Sequence, residues 1–216
     1  VLPGFGPNNA RIATVRSLLA FAAHPDDVES WCAGALALAA DAGATVRLVI
    51  ATSGESGTAS IVAADLRTTR EAEARAAAQI LGIHESMFLR LPDGDLAGAE
   101  ALPLHCREAV ARHQPDLILT FDPDRPWSAT PHSDHLAMGR AARAAAGDVE
   151  TWLFSTSAPN RHLDIGPVFE RKVAARMAHR SQTVDPDQLR ADWTERARSA
   201  GVAVGLSCAE AFRTAR

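Results

Sequence analysis

"RSLLAFAAHPDDVES", residues 16–30, holds the change of character on which the fold turns. Residues 16–23 read as a buried strand, a short, largely apolar run. The run stops at His24, Pro25, Asp26 and Asp27, and an Ala/Leu-rich segment then predicts a helix over 28–42. Adjacent carboxylates repel, and taking them out of water is costly unless a cation or hydrogen bonds compensate. The turn is therefore either solvated or built around something positive.

The same alternation continues downstream. A β-branched strand is expected over 45–52, a long Ala/Arg/Glu helix over 65–81 stopped by Gly82, and a third strand over 86–91. A helix over 100–113, a strand over 116–122, a helix over 134–146 and a fifth strand over 150–156 follow. Strands that alternate with helices imply a parallel sheet covered on both faces. The expected class is α/β, a Rossmann-like three-layer sandwich with a mostly parallel sheet. Residues 166–180 and 186–205 read as amphipathic helices. No repeat, linker or low-complexity segment interrupts the 216 residues, so one domain over 1–216 is expected.

Composition narrows the function. A formal net charge of −4 offers no basic footprint for nucleic acid. No apolar run is suited to spanning a membrane. Residues 1–10 lack a charged segment followed by an apolar one, so no secretory leader is expected. Cys32, Cys106 and Cys208 are scattered and odd in number, which fits neither a disulfide framework nor a clustered metal site. A cytoplasmic setting is the default expectation, and a homo-oligomer stays open.

Read together, the strand ends converge. His24, Asp26 and Asp27 follow the first strand; Ser53, Gly54, Glu55 and Gly57 the second; Asp93, Gly94 and Asp95 the third. Asp122, Asp124, His132, Asp134 and His135 follow the fourth, and Asn160 and Arg161 the fifth. In parallel sheets ligands gather beyond the carboxyl ends of the strands, so this edge is the expected cleft.

His24 and Asp27 offer a nitrogen and an oxygen donor on one tight turn. "PHSDH" at 131–135 adds His132 and His135. His24, Asp27 and one of these later histidines make a two-imidazole, one-carboxylate set, which suits Zn2+ and leaves a position for water. Zinc makes hydroxide available near neutral pH. Asp26 would then accept a proton. His132 would donate a proton to a leaving amine or steady an oxyanion. Asp134 would hold His132 in one tautomer. Alone, each motif reads as well as a solvated turn or a helix start; their joint occurrence after strands one and four favours a metal site.

The chain also resembles a known family. "AHPDD", "ATSGE" at 51–55, "REAEARAAAQILG" at 70–82, "LPDGDL" at 91–96 and "PHSDH" look like the LmbE/PIG-L family of zinc-dependent N-deacetylases. "TSAPNRHLDI" and "HRSQ" extend the likeness to about residue 182. The resemblance implies zinc on His24, Asp27 and His135, with Asp26 as general base and His132 as general acid. It implies a small-molecule substrate carrying an N-acetylglucosamine group. The chain departs from the pattern in two places. Some members carry a Tyr where Thr130 stands, and this chain has no Tyr at all. Oxyanion help must then come from zinc, His132 or an arginine, and Arg161 resembles one used by bacterial members. Ala33-Gly34 replaces a glycine pair.

Supporting residues have two readings each. Arg70 is either a substrate contact or a surface partner of Glu73 at helical spacing. Glu55 and Asp93 either hold sugar hydroxyls or serve their turns. Trp31 reads as core and Trp127 as rim. His84, His105, His113, His162 and His179 read as structural or surface. The expected function is a zinc hydrolase removing acetyl from an amino sugar. Its rivals are a hydrolase of longer N-acyl groups and an inactive metal- and sugar-binding relative. A dinucleotide-binding protein would carry G-x-G-x-x-G after the first strand, where HPDD stands.

Overall fold

A computed structural model describes residues 6–57 and 62–215, so residues 1–5 of the segment read for a leader lie outside them. The apolar runs fall into one sheet. β1 (Ser17–Ala22), β2 (Thr45–Ile50), β3 (Glu85–Phe88), β4 (Leu117–Phe121) and β5 (Thr151–Phe154) are parallel. β1 and β4 are buried almost throughout, as strands covered on both faces must be. With β6 (Arg161–Asp164) and β7 (Ala209–Ala215), the strand order is β3-β2-β1-β4-β5-β7-β6. The chain winds outward from β1 to β3, then crosses to β4 on the other side of β1. That reversal places the loops after β1 and β4 on either side of one crevice, the place where such sheets bind ligands.

Helices form where apolar positions recur on one face and a stop residue follows. α2 (Ala33–Asp41) and α3 (Ala63–Leu81) connect the first three strands. Gly82 ends α3 at φ 78°, a left-handed conformation that glycine adopts without penalty. α4 (Leu102–His113) and α5 (Ser133–Ala146) pack together around β4 and β1, while α6 (Phe169–Met177) lies on α2 and α3. The result is the expected three-layer α/β sandwich.

Two expectations need correction. The single helix over 28–42 is two, α1 (Asp27–Trp31) and α2, broken at Cys32, whose φ of −141° is not helical. The break frees the first amides of α2, and the carboxylate of Glu210 accepts them: Gly34 N donates to Oε1 at 2.8 Å and Ala35 N to Oε2 at 2.9 Å. A Cβ on Gly34 would lie 2.4 Å from Ile165 Cγ2, so this half of the altered glycine pair is required while Ala33 fits in the core.

The second correction lies in the C-terminal quarter. α7 (Pro186–Val202) is there, capped by Asp185, but so are two unexpected strands, β6 (Arg161–Asp164) and β7 (Ala209–Ala215). β7 runs antiparallel to both β5 and β6, inserted between them. "AEAFRTA" has little β-propensity, and its pairing is set by the neighbours it finds. Among the described residues no helix is long and apolar enough to cross a membrane.

Candidate metal centre

The turn after β1 separates its two aspartates. Asp27 folds back on the strand end: its Oδ2 accepts the amides of Ala23 at 3.0 Å and His24 at 2.7 Å. Its Oδ1 is left facing His135 Nε2 at 3.2 Å. Asp26 is held in the left-handed region at φ 93°, costly for a residue with a Cβ. It sits between two guanidinium groups, with Arg70 Nη2 3.1 Å from Oδ1 and Arg176 Nη2 3.4 Å from Oδ2.

The second motif arrives on the first turn of α5. His132 is the N-cap, and its Nδ1 accepts the amide of Asp134 at 3.2 Å. That hydrogen bond leaves the ring proton on Nε2. His135 stacks on Phe121 at the end of β4, ring centroids 3.9 Å apart. Asp134 is fully buried, and its carboxylate does not reach for His132. Oδ2 accepts Gly94 N at 2.8 Å and Oδ1 accepts Leu96 N at 3.1 Å. The expected tautomer support for His132 thus comes from the backbone of Asp134, and its side chain instead anchors the loop after β3.

That loop carries Asp93 to the site. His24 Nε2 lies 3.1 Å from Asp93 Oδ1 and 3.4 Å from Asp134 Oδ2, while Nδ1 faces Asp27. Asp93 also accepts Ser56 N at 2.8 Å, tying the loops after β2 and β3 together.

Among the described residues, two groups bring ligating atoms within 4.8 Å of one another: His24, Asp27 and His135, and His24, His132 and Asp134. The first fits a metal better. In the second, both carboxylate oxygens of Asp134 and Nδ1 of His132 already serve backbone amides. In the first, Asp27 has one oxygen anchored and one directed inward, and Asp93 and Asp134 stand behind the far nitrogen of His24. A carboxylate behind a ligating imidazole is the usual support of a metal site.

The electrostatics ask for a cation. Burial pulls the His24 imidazole down, but hydrogen bonds and charge from Asp27 and Asp93 outweigh it and push the group up to about 10. Burial favours neutral Asp27, yet His135 and His24 hold its carboxyl well below the usual range. Burial and the charge of Asp27 raise Asp26 against the pull of Arg70 and Arg176. Burial and the positive neighbours His24 and His135 lower His132. A metal held here would displace the extra proton of His24, since an imidazole ligates in its neutral form.

The structure brings His24, Asp26, Asp27, Asp93, His132, Asp134 and His135 together. Arg70 is neither a surface ion pair nor open to solvent: it is 4% exposed, and its terminal nitrogens donate to Pro25 O, Gly54 O and Asp26. Glu73 holds Ser181 through its amide and hydroxyl instead. Glu55 pairs with Arg67 at 3.1 Å. Arg161 does not reach the cluster; its guanidinium lies 4.4 Å over the Trp152 ring, and its charge acts on Glu150 at the opposite end of β5. An oxyanion role for Arg161 is therefore set aside. Trp31 packs against the core but also lines the cleft. Sequence reasoning missed Arg176, which carries no local motif. It also missed the buried His179–Glu29 contact at 3.5 Å, for which "HRSQ" was the available signal.

Known proteins of similar sequence point the same way. The family model "PIG-L: GlcNAc-PI de-N-acetylase" matches residues 19–146. The uncharacterized deacetylase YaiS of Escherichia coli is 30% identical over 176 residues, covering 77% of this chain and 91% of YaiS. The 1D-myo-inositol 2-acetamido-2-deoxy-alpha-D-glucopyranoside deacetylase of Nakamurella multipartita is 35% identical over 160 residues, 59% of this chain and 54% of that longer protein. The solved N,N'-diacetylchitobiose deacetylase of Pyrococcus horikoshii shares the fold at TM-score 0.88 and 24% identity, covering 98% of this chain and 87% of that one.

Proposed function

The chain belongs to the PIG-L family, and from that premise we propose that it is a zinc-dependent N-deacetylase. Its substrate is a small glycoconjugate bearing an N-acetylglucosamine-type amino sugar, and residues 1–216 act as one domain. The observation that carries this reading is the meeting of His24, Asp27 and His135 beside a second carboxylate, Asp26, that is held apart from them.

His24, Asp27 and His135 would hold the ion. Zinc supplies acidity to a water and positive charge to an amide carbonyl. Asp26, raised by burial and by Asp27, accepts the proton of the water that adds to the acetyl carbon. Arg70 and Arg176 fix the direction of its carboxylate. His132 presents its Nε2–H to the carbonyl oxygen as negative charge develops there. A second proton on His132 would set Nδ1–H against the Asp134 amide, which already donates to that nitrogen. The proton for the departing amine is therefore assigned to Asp26, which has just received one, rather than to His132. The C–N bond breaks, and acetate and the free amino sugar leave.

The test is acetate release from a panel of N-acetylglucosaminides, followed by mass spectrometry on metal-replete and chelator-treated protein. The expected result is loss of one acetyl group by the replete protein alone. Intact amides across the whole panel would remove the deacetylase reading.

A further inference from the structure

Two cavities meet at the cleft. The one bounded by His132 and His135 is about 200 Å3. That is below the ~300–1,000 Å3 typical of sites enclosing a drug-sized ligand. The other, about 650 Å3, lies between α1, α7 and β7. They share Trp31, Trp127 and Ser155 as a common wall. The two indoles meet edge to face at 5.6 Å, and the Arg196 guanidinium on α7 lies over both, 4.5 Å from Trp31 and 5.2 Å from Trp127.

The polar groups on the wall of the large cavity are mostly engaged. Ser30 Oγ donates to Asp26 O at 3.0 Å, Thr156 Oγ to Asp122 at 2.7 Å, Ser157 Oγ to Arg125 O at 3.3 Å and Ser199 Oγ to Glu195 at 3.0 Å. Lys172 is closed onto Glu210 at 2.7 Å. Besides the Arg196 guanidinium over the indoles and the side chains of Ser155 and His162, what remains is the surface of Trp31, Trp127 and Trp193, Ile165 and the alanines of α7. A second sugar would lose the water on its hydroxyls with few partners to replace it. A planar apolar group would lose little and gain aromatic contact.

We infer that the large cavity receives the aglycone and selects a flat, apolar group over a second sugar or a polyol. The inference rests on the deacetylase reading only for placing the acetamido end at the metal cluster. Equilibrium dialysis of the full chain measures binding without turnover, using the 2-naphthyl and methyl N-acetylglucosaminides and N,N'-diacetylchitobiose. Acetate release from each is followed in parallel. The naphthyl glycoside should be retained at least about tenfold more tightly than either of the others. Trp127→Ala, which removes an exposed part of the shared wall, and Ala200→Trp, which fills the cavity, should each bring that ratio towards one. Equal retention of the three glycosides, no retention of any, or a ratio untouched by both substitutions would overturn the subsite. Preferential naphthyl binding without acetate release from any glycoside would keep the subsite and sink the deacetylase reading instead.

Discussion

The parallel half of the sheet and its C-terminal extension do different work. Around β1 and β4, the connections after the strands deliver titratable side chains to the switch point, and the carboxylates of Asp26, Asp27, Asp93 and Asp134 are each tied to a backbone amide or a guanidinium. Around β6, α7 and β7 the wall is mostly indole and alanine; Lys172 is closed onto Glu210, and Arg196 lies against the indoles. The first region carries the groups proposed to hold a cation and move a proton. The second can only shape what lies next to it. Chemistry and selectivity are thus built from separate stretches of chain that touch through Trp31 and Trp127.

The division can be broken most severely at the metal end. His135→Ala should lose bound zinc and all measurable acetate release while the circular dichroism spectrum stays unchanged. Full metal content by elemental analysis would take His135 out of the ligand set. Next in size, Asp26→Asn should keep the metal and lose about 10²–10⁴-fold in kcat, the usual range for a general base. His132→Ala should keep the metal and lose about 10²–10³-fold, as removal of one oxyanion donor does. Rates near wild type for this pair would leave the cluster as a binding site only.

A smaller effect is expected where the two halves touch the base from behind. Arg176→Met removes one of the two cations on Asp26 without touching the ligands. It should lower kcat by about 10–100-fold, as outer-shell substitutions do, with KM little changed. A rise in KM alone would make Arg176 a substrate contact.

The smallest effect concerns stability. Burial pushes Asp122 up, but Arg213 on β7, Thr156 and the amides of Asp124 and Arg125 outweigh it and leave its carboxyl at about 2. A lowered carboxyl stabilises the fold fully above its ordinary value near pH ~4, and that contribution fades as pH falls through the folded value. Asp122→Asn should therefore flatten the acid side of the stability curve by up to about 2 kcal/mol. Urea midpoints measured from neutral pH down through acid would show it. An unchanged slope would mean the β7 tie carries no stability of its own.

How legible all this was in the sequence follows the same division. The parallel strands announce themselves as apolar runs because both faces are covered, and Gly82 and His132 mark helix ends by local chemistry. The turn after β1 stood out in the sequence because His24, Asp26 and Asp27 are expensive after such a run. Arg70 was misread because its spacing to Glu73 is the same whether it faces water or is buried beneath the turn; only the close approach of Gly54 distinguishes them. The position of Arg161 was hidden because "TSAPNRHLDI" does not reveal that β6 is the outer edge strand, separated from β5 by β7, or that the Arg161 side chain turns back onto Trp152. β7 was invisible because its pairing depends on β5 and β6 and hardly on its own residues.

The carboxylate of Glu210 has a consequence in time. It caps the start of α2 across a separation of 176 residues. The metal turn and α1 leave the ribosome early, but the helix that continues them has its first amides answered only after β7 has been made and threaded between β5 and β6. Contacts this distant in sequence slow folding, because loop closure comes before its reward. A chain paused before β7 would carry its histidines and aspartates already synthesised on an unfinished scaffold, so competence to bind metal should appear among the last events of maturation.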